Sequence, residues 1–284
     1  MKIEKVRIIS FIPHDENEEK RIEAHQKQLD FFLSLGLLVD VVCILPSDNH
    51  IIKKEGVTHK IINEKTLPGS ARNIHLREFY ESDEDFTILA DNDSFFRIDG
   101  KYAPSGIHIL DALKNNDFEG VDLFVPVDGA MTPYSVLLEQ SDAKDNFVFS
   151  RTNFFRGCVM FVRNIKKHYE KEIYFNSEFE VDGSVIPGED TAFGFEFIEH
   201  GLGAYRCDTL ILKEYMRDAS SWVRDLKQRK IRNEKMRSTL AEVFSIPSKT
   251  SGGLNYAAFL DRHRVKKRVT INVTGKTTTD LLDF

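Results

Sequence analysis

The stretch FTILADNDSFF, Phe86–Phe96, decides the fold class of this 284-residue chain. Its first half, Phe86–Ala90, is a short apolar run with β-branched residues, which is typical of a buried strand. The run ends abruptly in Asp91, Asn92 and Asp93. Residues two apart in an extended chain face the same way, so the pattern predicts two carboxylates that approach one hard cation. Because Asp and Asn are also common turn formers, an acidic turn without a metal is the alternative.

Apolar runs and helical spacings alternate along the chain on both sides of this stretch. Further strands are predicted at Lys5–Ile12, Leu37–Leu45, Lys60–Ile62, Val121–Val127 and Gly157–Val162. Helices are predicted at Glu16–Leu35, Ser70–Tyr80, Ile107–Leu113 and Thr191–His200. This alternation predicts an α/β fold with a mostly parallel sheet and helices on both faces.

Acidic residues follow three of the predicted strands. Asp15 follows the first strand, Asp48 the second, and Asp91 and Asp93 the strand that opens this section. Ligands of such sheets bind beyond the carboxyl ends of the strands, so we expect these acids to gather along one rim.

Two further segments carry candidate ligand contacts. In residues 68–73, PGSARN, a Gly-Ser turn that starts a helix exposes backbone N–H groups, and Arg72 suits phosphate oxygens. An ordinary Ser-capped helix with a surface Arg is the alternative. Glu189 and Asp190 precede another predicted helix. They either favour the helix dipole or include a general base that deprotonates an acceptor hydroxyl.

The order of these pieces resembles the glycosyltransferases of the GT-A fold, in particular the inverting family 2 group. The pieces are FIPHDENEE (11–19), LPSDN (45–49), PGSARN (68–73), ILADND (88–93), RGCVMFVRN (156–164) and GEDTAFGFEFIEHGLG (188–203). The resemblance covers about Lys5 to Cys207 and implies a GT-A fold. The loops within residues 1–49 depart from the family, because they lack its Tyr-Asn and Gly-Ser-Thr-Asp signatures.

The resemblance implies a role for each residue at the donor end of the site. Asp93 would bind Mn²⁺ or Mg²⁺ directly, and Asp91 would contact the ribose, or the metal through water. Arg72 would lie near the donor, and Asp15 or Asp48 would touch the nucleotide base. The metal would neutralise the leaving diphosphate of a nucleotide-sugar donor, with UDP as the expected nucleotide.

At the acceptor end, the resemblance implies that Asp190 is the catalytic base and that Glu189 lies beside the acceptor. The acceptor oxygen would attack the sugar carbon in line. The sequence is therefore interpreted as a metal-dependent glycosyltransferase, in which residues 1–210 form the GT-A catalytic domain.

Residues 211–284 are predicted to form a basic helical extension and a C-terminal tail. From Lys213 to Arg268 the chain has 15 Lys and Arg against 6 Asp and Glu, although the whole chain has a net charge of −6. Such a segment either binds an anionic partner or is a solvated helix face. Our hypothesis is a nucleic-acid acceptor, since the chain resembles in overall character phage enzymes that add a sugar to a hydroxymethylated base in DNA. A polysaccharide or protein acceptor is the alternative.

Two other classes compete with sugar transfer. Sugar-phosphate nucleotidyltransferases use a similar sheet, but they carry a Gly-rich loop after the first strand, whereas this loop is the acidic PHDENEEK (13–20). A nucleotide-sugar-binding protein without catalysis is the second rival. Three widely spaced cysteines argue against a disulfide framework or a thiolate zinc site. We expect a cytoplasmic protein, because no apolar run approaches the roughly 20 residues of a membrane span and the N-terminus does not read as a secretory signal.

Overall fold

The computed structural model describes residues 1–97, 106–116, 118–128, 146–155, 158–176, 179–181, 184–185, 188–215, 226–250 and 253–272. The strands are β1 Lys5–Ser10, β2 Leu38–Ile44, β3 Val57–Ile62, β4 Phe86–Asp91, β5 Ser94–Arg97, β6 Leu123–Asp128, β7 Asn146–Arg151, β8 Val159–Arg163, β9 Glu180–Val181, β10 Ser184–Val185, β11 Ala204–Glu214 and β12 Arg268–Asn272. The helices are α1 Glu18–Ser34, α2 Pro68–Tyr80, α3 Gly106–Asn115, α4 Ile165–Tyr169, α5 Glu189–Glu199, α6 Leu226–Val243 and α7 Tyr256–Arg262.

Ten of these strands form one mixed sheet. The order across it is β12-β7-β11-β6-β8-β4-β1-β2-β3, and β5 pairs with one end of β11. Strands β4, β1, β2 and β3 are parallel neighbours. Strands β5, β7 and β8 run against the others, because each pairs antiparallel with its neighbours in the common direction. The mostly parallel sheet that the sequence predicts is confirmed.

Aromatic side chains fill the core on both faces of the sheet. One face packs against α1 and α3, where Phe124 and Phe161 stack with ring centroids 4.4 Å apart. The other face packs against α2, α5, α6 and α7, where Phe195 contacts Phe259 at 4.7 Å between centroids. Burying a Phe side chain contributes about 1.5–3 kcal/mol, so both layers stabilise the sheet.

Several described residues after Cys207 belong to this same core. The predicted boundary at residue 210 falls inside β11, which pairs with β6, β7 and β5. Strand β12 extends the sheet beyond β7, and Phe244 and Phe259 of the C-terminal part are buried. Phe259 is therefore a core residue.

None of the helices in the described ranges combines the length and the apolar character that crossing a membrane requires.

Candidate active site

The side chain of Arg72 joins three carboxylates that come from two other segments. Its Nη2 donates to Asp91 Oδ1 at 2.7 Å, and its Nη1 donates to Glu189 Oε1 and to Asp190 Oδ1, both at 2.9 Å. Asp91 is the last residue of β4, whereas Glu189 and Asp190 open α5. Three segments that the sequence motifs single out separately therefore meet at one guanidinium.

Helix α2 begins earlier than predicted, and it carries Arg72 in the protein interior. It starts at Pro68, with Leu67 as a cap that makes no side-chain hydrogen bond, so the prediction of a start at Ser70 is wrong. Pro is well suited to the first helical position because its missing N–H would have no partner there. Arg72 consequently lies in the second turn with its side chain 4% exposed, so the surface-Arg alternative is also wrong.

The neighbour of Arg72 holds an aromatic ring over the guanidinium. Asn73 Oδ1 accepts from the backbone N–H of Phe175 at 2.8 Å, and Asn73 Nδ2 donates to the Phe175 carbonyl at 3.0 Å. The Phe175 ring lies 5.2 Å from the Arg72 guanidinium carbon and stacks on Phe193 of α5. Such a cation–π contact adds to the attraction from the carboxylates. Asn73 thus fixes the position of Phe175, and the Phe175 ring lies over the guanidinium of Arg72.

Burial and the neighbouring carboxylates have opposite effects on the pKa of Arg72. Burial alone would lower the pKa of Arg72, but the charges of Asp91, Asp190 and Glu189 raise it above its ordinary value. The guanidinium therefore stays protonated. Among the described side chains, three carboxylates contact the guanidinium of Arg72.

The chain does not stay extended through Asp91, Asn92 and Asp93. Strand β4 ends at Asp91, and Asn92 and Asp93 form a turn into β5. The prediction that Asp91 and Asp93 face the same way in an extended chain is therefore wrong, because the chain turns here to bring β5 against β11. The turn is held by Asp93, whose Oδ1 accepts from Ser94 Oγ at 2.9 Å and whose carbonyl accepts from the N–H of Tyr215 at 2.9 Å.

Asp91 and Asp93 are oxygen donors at the carboxyl end of a central strand, and both are partly exposed. Among the described residues, the groups of three or more His, Cys, Asp and Glu side chains close enough to share a metal include neither of them. Carboxylate oxygens of this kind suit Mg²⁺, which usually keeps several waters and also binds substrate phosphates.

A second polar cluster, formed by His14, Glu18 and His50, lies beyond the ends of β1 and β2. Its potential ligand atoms lie within 4.8 Å of one another, a set that could hold a metal. His14 Nδ1 and His50 Nε2 contact the two Glu18 oxygens at 2.9 and 3.0 Å, and the hydrogen bonds from His50 and His14 lower the pKa of Glu18 to about 2.

The hydrogen bonds of His50 favour a metal-free form of this cluster. The backbone N–H of Ser47 donates to His50 Nδ1 at 3.3 Å, which leaves the ring proton on Nε2, directed at Glu18. A metal on Nε2 would require the proton on Nδ1, facing the Ser47 N–H. The cluster therefore fits two histidines that donate to one carboxylate.

The acids predicted for the nucleotide base lie at the expected edge. Asp15 follows β1, and Asp48 opens a short 3₁₀ turn after β2, a parallel neighbour of β1. The Asp15 carboxylate is engaged by Arg21 of α1, whose Nη1 contacts both oxygens at 2.7 Å. The hydrogen bonds from Arg21 and from the backbone of Asn17 lower the pKa of Asp15.

Helix α5 begins at Glu189 and not at the predicted Thr191, so both acids belong to its first turn. Gly188 caps the helix with a φ of +109°, a left-handed conformation that favours glycine. A Cβ on Gly188 would lie 2.6 Å from Met236 Cγ of α6. The C-terminal extension thus contacts the residue before the acid pair, a contact that motifs in the sequence do not reveal.

No family model matches the chain, and no curated protein matches it. Among solved structures it is similar to S. aureus TarS 1–349 in complex with UDP-GlcNAc, with a TM-score of 0.46 and 16% identity over 86% of this chain and 73% of that chain. It is also similar to the inositol-1-phosphate CTP transferase from T. maritima, with a TM-score of 0.41 and 11% identity over 82% and 96% of the two chains.

A third similar structure is the glycosyltransferase GlyE of Streptococcus pneumoniae TIGR4, with a TM-score of 0.40 and 11% identity over 92% of this chain and 63% of that chain. At identities and TM-scores this low, these likenesses do not decide what this chain does. A proposal for the function must therefore rest on the geometry around Arg72.

Proposed function

We propose that this chain is a metal-dependent glycosyltransferase that moves a sugar from a nucleotide-diphosphate donor to an acceptor hydroxyl. The expected nucleotide of the donor is UDP. One observation carries the proposal, namely that Arg72 joins Asp91 to Glu189 and Asp190 within 2.9 Å. The residues that the GT-A resemblance makes donor ligand and catalytic base are then parts of one site.

At the donor end, Asp93 would bind Mn²⁺ or Mg²⁺ directly, and Asp91 would contact the ribose, or the metal through water. The metal, when bound, would stabilise the charge that develops on the leaving diphosphate. Arg72 fixes one oxygen of Asp91, which leaves the carboxylate in a defined orientation. Asp15 or Asp48 would contact the nucleotide base from the neighbouring strand ends.

At the acceptor end, Asp190 would take the proton of the acceptor hydroxyl. As that oxygen forms its bond to the anomeric carbon, the bond from this carbon to the diphosphate oxygen breaks. The Asp190 side chain is 26% exposed, so an acceptor can reach it, whereas Glu189 is 8% exposed. Glu189 would lie beside the acceptor and hold Arg72 against the base.

The acceptor that we propose is nucleic acid, with a hydroxymethylated base in DNA as the specific hypothesis. Of the basic stretch 213–268, residues 216–225 and 251–252 lie outside the described residues. In the described part, Lys230, Lys235 and Arg237 of α6 are exposed, on the helix that contacts Gly188 through Met236. Exposed basic side chains on this helix suit a phosphate backbone, and a duplex base would have to be flipped out to reach Asp190.

Thermal shift with UDP and Mn²⁺ tests the donor end. Ligand at 100 times its Kd stabilises the native state by about 2.7 kcal/mol. We expect Asp93→Asn to abolish the metal-dependent part of this stabilisation and to leave the fold intact. Asp83→Asn, which changes an exposed acid at the opposite end of β4, is the matched control. A full response of the Asp93 variant to metal and nucleotide would refute the ligand assignment.

Product analysis separates sugar transfer from its rivals. Incubation with UDP-glucose, Mn²⁺ and hydroxymethylated DNA should release UDP, whereas a nucleotidyltransferase given a nucleoside triphosphate and a sugar phosphate would release pyrophosphate. A binding protein would release neither. Polysaccharide and protein acceptors are the alternatives that the same UDP assay tests.

Binding to duplex DNA at several salt concentrations tests the acceptor. Each lost phosphate contact reduces the slope of log K against log salt by about 0.9. We expect Lys235→Glu together with Arg237→Glu to reduce the slope by roughly twice this amount. Lys60→Glu, an equally exposed change on β3, should leave it unchanged. If the unchanged chain, the double variant and the Lys60 variant all give equal slopes, the nucleic-acid hypothesis is refuted.

A further inference from the structure

A buried glutamine on α1 holds the turn that carries the proposed metal ligand. The side chain of Gln28 is fully buried. Its Nε2 donates to two backbone carbonyls, those of Asp91 and Ser94. These carbonyls stand on the two sides of the turn that contains Asn92 and Asp93. One carboxamide therefore bridges the end of β4 and the start of β5.

The orientation of this carboxamide is set from its other end. His25, one helical turn earlier on α1, is also buried, and its Nδ1 lies 3.3 Å from Gln28 Oε1. Burial lowers the pKa of His25 to about 4, so the ring is neutral near pH 7. Because the amide oxygen can only accept, Nδ1 carries the ring proton and donates it. The amide nitrogen is then directed at the turn.

Packing alone does not explain why the polar residues His25 and Gln28 occupy buried positions on α1. The other buried residues of α1 are Ala24, Leu29 and Phe32, so two polar side chains interrupt an apolar stripe. Burying an amide is unfavourable unless its hydrogen bonds are made, and an apolar side chain would avoid this requirement. The bonds that Gln28 makes go to the carbonyls around Asp93.

We infer that Gln28 is a positioning residue that fixes the Asp91–Ser94 turn for binding of the metal–diphosphate. This inference rests on the proposed function, because it assigns Gln28 to the site formed by Asp91 and Asp93. Partners that orient a metal ligand typically change metal affinity or activity by 10–100-fold when they are replaced.

The chain offers a matched control at the other end of β4. Asn164 is also fully buried, and its Nδ2 donates to the carbonyls of Phe79 and Ser82 at 3.0 and 3.4 Å. Its backbone N–H donates to Asp85, which precedes β4. Replacing either carboxamide by an apolar side chain removes the same kind of hydrogen bonds, but only Gln28 touches the turn.

The test compares Gln28→Met, Asn164→Leu and the unchanged chain. Thermal unfolding without ligand measures stability, and calorimetry of UDP binding at increasing Mn²⁺ measures the metal requirement. We expect both variants to lower Tm. We expect only Gln28→Met to raise the Mn²⁺ concentration at half-maximal binding, by about 10–100-fold, with recovery at excess Mn²⁺.

A second measurement covers the case in which Gln28→Met folds poorly. Gln28→Glu keeps the size of the side chain and removes one or both donated hydrogen bonds. Amide hydrogen exchange at Asn92 and Asp93 should then be faster than in the unchanged chain, whereas Asn164→Leu should not change it. A metal requirement within twofold of the unchanged chain for both Gln28 variants overturns the inference. An unchanged chain that binds no UDP with Mn²⁺ overturns the proposed function, and the inference with it.

Discussion

Replacing Arg72 by Met tests whether the ion cluster is the centre of the site. The change keeps much of the apolar stem and removes the guanidinium that bonds to Asp91, Glu189 and Asp190. It leaves three carboxylates close together without the guanidinium that joins them. We expect a loss of stability together with a loss of nucleotide-sugar turnover.

The size of the stability loss follows from burial. Removing one partner of a buried ion pair costs about 3–5 kcal/mol, because the remaining charge is buried without compensation. Glu189 is 8% exposed, whereas Asp91 and Asp190 are 31% and 26% exposed, so water reduces the cost for the latter two. We therefore expect about 3 kcal/mol, the low end of this range.

Urea unfolding at pH 7 measures this loss by linear extrapolation. With a slope of about 3 kcal/mol per molar urea, the midpoint should fall by about 1 M. Adding Glu189→Gln to Arg72→Met removes the charge of the most buried of the three carboxylates. The double variant should recover roughly 1–2 kcal/mol, a coupling typical of residues in one network.

Two other basic residues serve as controls. Lys60 and Glu78 form an exposed pair at 2.8 Å, so Lys60→Met should cost less than about 1 kcal/mol. Arg7 pairs with Glu84 at 2.5 Å, and both are buried at the other end of the sheet. Arg7→Met should destabilise the protein without weakening nucleotide binding in the folded state. A loss for Arg72→Met no larger than that for Lys60→Met would refute the buried-charge reasoning.

Three further outcomes are expected. Asp190→Asn should abolish sugar transfer and leave Mn²⁺-dependent UDP binding within twofold, as titration calorimetry would show; lost binding would contradict its assignment as base. Gly188→Ala should cost more than about 1 kcal/mol in urea unfolding, because a Cβ meets Met236 and φ is positive, and Met236→Ala should relieve part of this. Burial lowers the pKa of His75 from 6.5 to about 4, so the unfolded chain binds protons first and stability should fall as pH drops from 6.5 to 4. His75→Gln should flatten this pH dependence, and an unchanged slope would contradict it.

The sequence predicts the central strands well because they are buried on both faces. The strands Leu38–Ile44, Phe86–Asp91 and Val159–Arg163 begin and end within two residues of the predicted runs. Continuous apolar runs of this length have few other ways to be buried in a chain of this composition. Hydrophobicity alone therefore predicts these central strands.

Strands β5, β7, β11 and β12 are not predicted from the sequence, and polar residues interrupt the longest of them, β11. In β11, Asp208 and Thr209 sit where the pairing with β6 shifts register between Cys207 and Ile211. A polar pair inside an apolar run reads as a turn in sequence. Strand β12 begins at Arg268, the last residue of the basic stretch, and its pairing with β7 depends on residues more than a hundred positions away.

The motifs that form the candidate site can be recognised in the sequence, but the contacts between their residues cannot be predicted from it. Arg72, Asp91 and Asp190 each stand in a recognisable segment, but their meeting depends on where α2 and α5 begin. Both helices start about two residues before the predicted positions. Gln28 and Met236 give no motif at all, since each acts as a single residue through the fold.

The place of β11 in the sheet has a consequence for biosynthesis. This strand lies between β6 and β7 and also pairs with β5, yet it leaves the ribosome after all three. Until residues 204–214 emerge, the nascent chain has strand edges in the middle of its sheet that readily pair with other chains. Such edges make partly synthesised chains prone to aggregation and dependent on chaperones. A truncated chain that ends before Ala204 should therefore aggregate and not give a soluble protein.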